Sequence, residues 1–207
     1  ADESKFVLAG CHGLVHIDGT LTGETMERVA LEGVDWQLGR GDMSAERKGR
    51  KRRLQVHHRF PFASSLARMC TVAELSDGAT HKLLALAKGA PETMQSRFRE
   101  VPVDYVETYK HYARQGARVL ALGWKDMDKM AISKIRSLQR DEVEQGFTFA
   151  GLVVFHCPNK RESFASIQAL KQAGHHLIMI TGDQVLTACH VARQLGMCAR
   201  KHSLILE

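Results

Sequence analysis

The spacing of hydrophobic and polar residues predicts strands and helices along most of the chain. Apolar residues that alternate with polar ones are typical of strands, and apolar residues with helical spacing are typical of helices. We predict strands at 12–18, 54–62, 68–75, 81–89, 117–127 and 147–157. We predict helices at 23–38, 92–98, 104–115 and 132–145. The run SDGAT between two of the strands predicts a hairpin, because glycine tolerates positive φ.

The pattern changes near Pro158. A helix, an almost entirely apolar run, a second helix and a short apolar run follow at 160–174, 175–181, 183–196 and 203–207. The first apolar run predicts a buried parallel strand, and the second predicts the start of another. Helix, strand, loop and helix in this order are typical of Rossmann-like packing. We therefore predict an antiparallel α+β domain over 1–157 and a partial Rossmann-like α/β segment over 158–207.

Composition excludes several classes of protein. The chain has 207 residues, of which 44% are hydrophobic and 25% charged, as in soluble globular proteins. No stretch approaches the ~18 consecutive apolar residues of a membrane span, and the first residues lack the pattern of a signal peptide. Five scattered cysteines without a CxxC pair argue against a disulfide framework or a thiolate zinc site, and fit a reducing compartment. Because the chain begins without Met, we expect a fragment of a longer protein.

The net charge of +6 comes from one segment. The run RKGRKRR (47–53) contains six basic residues, and the other 23 basic residues match the 23 acidic ones. This run ends the polar and basic stretch 39–53, which we predict to be a flexible loop. A solvated loop is the favoured interpretation, and contact with a phosphate or lipid headgroup is the alternative.

Two short motifs predict contacts with an anionic ligand. In MITGDQVLTA, Asp183 follows the predicted buried strand and precedes a helix, where ligands of open α/β sheets bind. Asp183 would either cap that helix or accept a hydrogen bond from a ribose hydroxyl. In LAKGAPE, Lys88 lies at a strand end, where its charge would meet a phosphate and the small residues after it would let a ligand approach.

The motifs KGAPE, GARVLALG and MITGDQVLTA, in this order, resemble those of P-type ATPases. Upstream, GETME resembles the family's G-[DE]-x-x-E motif, and FPFASSLARM resembles its F-x-S-x-x-x-R-M strand. The runs CHGLVHIDGTLTGETMERVALEGVDW, HCPNK and TGDQVLTACHVA are most similar to the A branch of the type 5 pumps. The resemblance covers nearly the whole chain. It implies a nucleotide-binding domain, with a twisted antiparallel sheet flanked by helices, followed by part of the phosphorylation domain.

The resemblance also implies which residues bind the adenine of ATP. Phe62 matches the aromatic residue that stacks on the base, an interaction worth about 1–3 kcal/mol by analogy with other base–aromatic contacts. Glu27 matches the carboxylate that helps to hold the adenine. Lys88 matches the lysine that lines the floor of the site, and Gly89 and Ala90 match the small residues that admit the base.

The phosphate end of the nucleotide is implied in the same way. Arg118 matches the arginine that contacts the phosphates, and Asp183 matches the aspartate of the Thr-Gly-Asp motif, which approaches the ribose and phosphates. Two departures weaken the expected site. The family usually has a lysine where this chain has Ala67, and an asparagine where it has Gln184. We therefore expect a dissociation constant no tighter than about 0.1–1 mM.

Two rival functions use other features of the sequence. The run DGTLT resembles the phosphorylation loop of haloacid-dehalogenase-type phosphatases, but His16 stands where the nucleophilic aspartate is required. A nucleic-acid-binding module would use RKGRKRR, yet the run lacks interleaved aromatic residues and a motif that enters a groove. We expect no protein metal site, because adjacent strand residues point to opposite faces, so that neither His57–His58 nor His175–His176 would chelate as a unit.

The resemblance implies that the parent protein hydrolyses ATP through an aspartyl phosphate and drives cation transport or the dislocation of transmembrane helices. The phosphorylated aspartate, the dephosphorylation loop and the principal Mg²⁺ site are absent from these residues, so we expect binding of ATP or ADP without turnover and no catalytic residue here. The expected partners are the remaining phosphorylation, actuator and membrane domains of the pump, without nucleic acid. The expected location is the cytosolic face of the endoplasmic reticulum membrane, with a soluble fragment.

Overall fold

The structure is a computed structural model that describes residues 2–39, 43–46, 52–78, 80–128 and 130–198. The chain divides into two units. The first comprises Ala1–Pro102 and Leu120–Val153, and the second comprises Val103–Val119 and Val154–Glu207. The assignment of 1–157 and 158–207 to two domains of a family stays a prediction.

A seven-stranded sheet is the main feature of the chain. A short hairpin of β1 (Val15–Ile17) and β2 (Thr20–Thr22) precedes it as a separate two-stranded sheet. The seven strands are β3 (Trp36–Leu38), β4 (Met43–Glu46), β5 (Arg53–Ala63), β6 (Arg68–Asp77), β7 (Thr80–Gly89), β8 (Arg118–Asp126) and β9 (Thr148–Phe155). They lie side by side in chain order, and β3 to β8 pair antiparallel. The predicted antiparallel sheet is confirmed, as is the hairpin, in which Asp77 pairs with Thr80.

The helices are mostly short. They are α1 (Asp2–Gly10), α2 (Thr25–Gly33), α3 (Pro91–Gln95), α4 (Tyr105–Arg114), α5 (Arg140–Val143), α6 (Ser163–Gln172) and α7 (Val185–Gln194), with a 3₁₀ helix at Ile132–Ser137. Helix α4 ends as predicted, because Gly116 adopts the left-handed conformation at φ 83° that commonly follows a helix.

Helix α1, which the sequence pattern did not predict, packs closely against the sheet. A Cβ on Gly10 would lie 2.6 Å from Cδ1 of Leu86 on β7, so any larger residue would have to displace the end of that side chain. The Thr71 hydroxyl on β6 donates to the Gly10 carbonyl at 3.0 Å. At the other end of this core, the ring of Phe6 meets the fully buried Trp36 edge to face, with centroids 6.2 Å apart.

The predictions for 23–38 and 39–53 were wrong in part. The helix ends at Gly33, and the next residues form β3, because Asp35 turns the chain with a positive φ of 62°. The loop predicted at 39–53 contains β4, which pairs with both β3 and β5. The rest of the predicted loop, at 40–42 and 47–51, lies outside the described residues.

Two further predictions were wrong. The helix predicted at 132–145 is a 3₁₀ helix followed by α5, which begins anew because Gln139 and Glu142 form a capping box. The residues 175–181 form no strand, and Ile178 and Ile180 are 84% and 94% exposed. A buried strand needs neighbours that complete its backbone hydrogen bonds, and no strand pairs with this run in the described part of the chain. The Rossmann-like prediction therefore holds only for its two helices, and 203–207 lies outside the described residues.

The argument from alternation was wrong for His175–His176, and for His57–His58 the absence of a shared metal site stays a prediction. The register of β5 shifts between Val56 and His58, so His57 occupies an irregularity where strict alternation fails. His57 Nε2 lies 3.0 Å from Glu74 Oε2, and the His58 ring contacts the Phe60 ring with centroids 4.5 Å apart. His175 and His176 are not on a strand at all.

Candidate functional site

A buried ion pair lies at the end of β7, where the sequence predicts a ligand. Lys88 is the second-last residue of this strand, and its Nζ lies 2.7 Å from Oε1 of Glu27 in the first turn of α2. The two side chains are only 8% and 12% exposed. The structure thus brings together two residues 61 positions apart that were assigned to one site.

The second oxygen of the Glu27 carboxylate has a partner that sequence reasoning missed. The backbone N–H of Gly13 donates to Glu27 Oε2 at 2.8 Å. The neighbouring His12 is fully buried, accepts a hydrogen bond from Leu14 N at Nδ1, and lies 3.2 Å from the hydroxyl of Ser44 on β4. A backbone donor has no side-chain signature in a sequence, so only the position of His12 inside the apolar run VLAGCHGL hinted at this loop.

Burial controls the protonation of the two residues that begin this loop. Burial, followed by the nearby positive charge of Lys88, lowers the pKa of His12 to about 4. Burial raises the pKa of the Cys11 thiol to about 12. At neutral pH both side chains are therefore uncharged, and the Glu27–Lys88 pair is the charged element of this cluster.

Gly89 and Ala90 follow the ion pair and contact a tight turn that precedes β6. A Cβ on Gly89 would lie 2.7 Å from the Ala67 carbonyl oxygen and 3.0 Å from the Arg68 Cα, which no real side chain tolerates. Ala90 N donates to the same Ala67 carbonyl at 2.9 Å. The backbone of this turn therefore accounts for the small residue at position 89, and a role for Gly89 and Ala90 in admitting a base stays a prediction.

Phe62 is exposed on the row of the sheet that contains Lys88. The register of β5 is interrupted between Phe60 and Ala63, and the intervening residues lie opposite Met69, which itself pairs with Lys88. Phe62 is 60% exposed, so much of its side chain is accessible to solvent. At this strand irregularity the Phe62 side chain is thus exposed, near the row of paired residues that contains Lys88.

Arg118 and Asp183 bind each other within the second unit. Arg118 Nε lies 2.9 Å from Asp183 Oδ1, and Nη2 donates to Oδ2 at 3.1 Å, which is the two-pronged geometry of an arginine–carboxylate pair. Both side chains are partly exposed. The two residues assigned to the phosphate end are thus adjacent.

Asp183 does not cap the following helix, so that alternative was wrong. Gln184 is the cap of α7, and its Oε1 accepts from the N–H groups of Leu186 at 2.8 Å and Thr187 at 3.4 Å. The longer glutamine side chain reaches these donors, which leaves the Asp183 carboxylate with Arg118. The Thr187 hydroxyl also donates to the Ala117 carbonyl, which holds α7 against the residue preceding Arg118.

The basic run 47–53 is not entirely a solvated loop. Arg52 is buried, its Nη1 lies 2.8 Å from Asp2 Oδ2, and its guanidinium lies over the Phe6 ring at 5.2 Å. Arg52 therefore fastens α1 to the start of β5.

In the described part of the chain, no group of three His, Cys, Asp or Glu residues is placed to hold a metal ion. Among those same residues, no helix is long and apolar enough to cross a membrane.

Comparison with known proteins identifies the region that carries this site. Residues 18–162 match the family described as P-type ATPase, cytoplasmic domain N. The chain is 45% identical over 189 residues to the probable manganese-transporting ATPase PDR2 of Arabidopsis thaliana. It is 42% identical over 199 residues to the endoplasmic reticulum transmembrane helix translocase of Saccharomyces cerevisiae.

These two alignments cover 91% and 95% of this chain, but only 16% of each relative. The human polyamine-transporting ATPase 13A3 is 28% identical over 241 residues, which cover 99% of the chain and 20% of that protein. The chain thus spans about a sixth to a fifth of the length of these relatives. The chain belongs to the P-type ATPases, type 5, and residues 18–162 form the cytoplasmic domain N of that family.

Proposed function

We propose that this chain binds ATP or ADP and that the Glu27–Lys88 ion pair is the centre of the site. The observation that carries the proposal is a mostly buried lysine–glutamate pair in the same sheet row as an exposed phenylalanine. The two charges compensate each other at this low exposure, and removing either one would leave the other buried without a counter-charge.

Each residue of the first unit has a distinct part in the proposed recognition. Phe62 offers an exposed ring on which an adenine stacks. Each Glu27 carboxylate oxygen has a second lone pair besides the one used by Gly13 or Lys88, and accepts a hydrogen bond from the base with it. Lys88 holds one oxygen of the Glu27 carboxylate and places a positive charge at the base of the site. Gly89 and Ala90 keep the strand end free of bulky side chains.

In the second unit, Arg118 binds phosphate oxygens and Asp183 binds near the ribose. Their mutual ion pair keeps the guanidinium oriented in the absence of an anion, and a phosphate, which carries more negative charge, competes for it. Ala67 supplies no cation to the phosphates, so we expect a dissociation constant no tighter than about 0.1–1 mM.

For the parent protein, we propose that this domain presents the γ-phosphate of ATP to an aspartate outside the chain. Mg²⁺, held mainly by other parts of the parent, would neutralise phosphate charge during the transfer. The remaining phosphorylation, actuator and membrane domains are then its partners. The higher identity to the endoplasmic reticulum translocase and PDR2 than to the polyamine transporter favours the A branch and an endoplasmic reticulum location.

The names of the relatives do not agree on a cargo. They refer to manganese, transmembrane helices and polyamines. We therefore propose transport or helix dislocation for the parent without choosing between them. In this proposal the residues of this chain bind the ATP that drives transport, and the membrane domain of the parent binds the cargo.

An NMR titration of the chain with ATP tests the proposed site. We expect the signals of Glu27, Phe62 and Lys88 to move together and saturate near millimolar ATP, and those of Arg118 and Asp183 to show whether the second unit takes part. Shifts scattered over the surface, or none, would refute the nucleotide site. Salt-sensitive binding of duplex DNA without competition from ATP would instead support the nucleic-acid alternative, and sustained phosphate release would contradict binding without turnover.

A further inference from the structure

The loop between α1 and β1, residues 11–14, determines how the Glu27 carboxylate is oriented. The Gly13 amide donates to one carboxylate oxygen at 2.8 Å, and the Lys88 ammonium donates to the other at 2.7 Å. Two donors on different oxygens fix the plane of a carboxylate, whereas one donor leaves it free to rotate. The direction in which Glu27 faces a ligand therefore depends on the backbone at Gly13.

His12 holds this loop in place from inside the protein. Its Nδ1 accepts the Leu14 N–H at 3.3 Å, so the proton of the neutral ring lies on Nε2. Nε2 then donates to the Ser44 hydroxyl at 3.2 Å, which ties the ring to β4. Gly13 lies between the two residues joined by the first bond, and its own N–H is directed to Glu27.

We propose that His12 is a positioning residue of the nucleotide site: it holds the 11–14 loop so that the Gly13 amide orients Glu27, which in turn places the Lys88 ammonium. The inference deepens the proposed function and rests on it for any effect on nucleotide affinity. The loop geometry itself is a property of the ligand-free protein and can be measured separately.

The charges around His12 require that its ring stay neutral. Lys88, Glu27 and Arg59 are the charged groups that act on the ring, and the Cys11 thiol beside it is protonated at neutral pH. A second positive charge at His12 would repel the Lys88 ammonium. It would also turn Nδ1 from an acceptor into a donor, which would break the bond from Leu14 N.

The first test uses the ligand-free protein. His12→Phe keeps an aromatic ring of similar size and removes both nitrogens, and Cys11→Ala is the matched control because it alters the neighbouring buried side chain of the same loop. Cys11→Ala removes only the weak hydrogen bond from the Cys11 thiol to the Met69 carbonyl and leaves the bonds of His12 and Gly13 in place. We expect His12→Phe to increase hydrogen exchange of the Gly13 amide about tenfold or more and to shift the Glu27 carboxyl ¹³C signal. We expect Cys11→Ala to leave both unchanged, and unchanged signals in His12→Phe would overturn the proposal.

The second test is a double-mutant cycle on ATP affinity. We expect His12→Phe to weaken ATP binding about tenfold in the wild-type background and to have no further effect in a Glu27→Ala background, because coupled residues are not additive. Equal losses in both backgrounds would assign His12 a general structural role and overturn the proposal. If His12→Phe does not fold, Ser44→Ala releases one end of the ring and should give a smaller loss with the same dependence on Glu27.

The two tests separate this inference from the function on which it rests. If the wild-type chain binds no ATP, the proposed function fails, while the Gly13 and Glu27 signals still decide whether His12 orients the carboxylate. If ATP binds but those signals do not respond to His12→Phe, the nucleotide site stands and the positioning role is refuted.

Discussion

At the scale of single residues, the Arg68–Glu144 and Glu27–Lys88 ion pairs of the first unit have different surroundings. Arg68 Nε lies 2.6 Å from Glu144 Oε2, and both side chains are almost completely buried. The Glu27–Lys88 pair is slightly more exposed and lies beside the small residues at the end of β7. The first pair joins β6 to the residue after α5 and has a structural role, while the second is the one that a ligand would reach.

The Arg68–Glu144 pair makes a direct prediction about stability. Glu144→Gln leaves the buried Arg68 without its counter-charge, and we expect it to lower the free energy of unfolding by about 3–5 kcal/mol. Glu32→Gln, at an exposed position of α2 in the same unit, should change it by less than about 0.5 kcal/mol. Urea unfolding at neutral pH measures both, and equal effects would contradict the structural role.

The buried His12 predicts a loss of stability in mild acid. Its folded pKa of about 4 lies below the ordinary value of 6.5, so between these values the unfolded chain binds a proton that the folded chain does not. Stability should therefore fall as the pH falls from 6.5 toward 4, by up to about 3 kcal/mol. The lowered pKa values of Asp2 and Glu74 act at lower pH, below the ordinary carboxyl range.

Urea titrations between pH 7 and pH 4.5, in the window that belongs to His12, test this prediction. We expect His12→Gln, which cannot titrate, to flatten the dependence of the unfolding free energy on pH in this window. A slope as steep in His12→Gln as in the wild type would show that another group is responsible.

At the scale of elements, the long strands were predictable and the short ones were not. Strands β5 to β9 have eight or more residues and an evident apolar pattern. Strands β3 and β4 have three and four residues, too few to show a period, and they form because neighbouring strands supply their hydrogen bonds. The strand predicted at 175–181 was wrong for the opposite reason. Its apolar residues indicated a strand, but no partner strand lies beside it in the described part of the chain.

The same limit applies to the candidate site. Glu27 and Lys88 lie in motifs that resemblance to the family identifies, and the structure pairs them. Gly13 contributes an N–H that every residue except proline has, so no residue type marks it. The β5 irregularity before Phe62 and the reach of the Gln184 cap depend on backbone geometry, which a sequence pattern does not contain.

The contact between the end of β7 and the turn at Ala67 yields a prediction at this scale. Gly89→Ala places a methyl group against the Ala67 carbonyl and the Arg68 backbone, and we expect a loss of about 1–3 kcal/mol. Gly33→Ala is the matched control: no atom of the described residues lies within 4 Å of the added Cβ, and its φ is not positive. Because alanine favours helices, Gly33→Ala in α2 should stabilise the protein by about 0.5–1 kcal/mol. Thermal unfolding followed by circular dichroism distinguishes the two.

At the scale of the whole molecule, nucleotide binding should stabilise the folded chain. With a dissociation constant no tighter than about 0.1–1 mM, ATP at about 10 mM should raise the free energy of unfolding by at most about 1.4–2.7 kcal/mol. Phe62→Ala removes an exposed ring that would stack on the base, so it should remove most of this effect. Ile132→Ala truncates a similarly exposed side chain in the first unit and should preserve it.

Thermal unfolding with and without ATP measures these shifts. Stabilisation by ATP that survives in Phe62→Ala would contradict the stacking role, even if the chain binds nucleotide elsewhere. Ile132→Ala is a suitable control for Phe62→Ala, because both substitutions remove partly exposed carbon atoms and neither creates a buried cavity.

The order of strands in the sheet has a consequence for how the domain folds during synthesis. Each strand from β4 to β7 lies beside the strand that precedes it in the chain and is joined to it by a short connection, so each of these pairings closes a short loop. Contacts between neighbours in sequence favour rapid folding. We infer that β3 to β7 assemble while the ribosome is still adding later residues, with no segment waiting for a distant partner strand. Pairing during synthesis would leave fewer of these strand edges open to other chains.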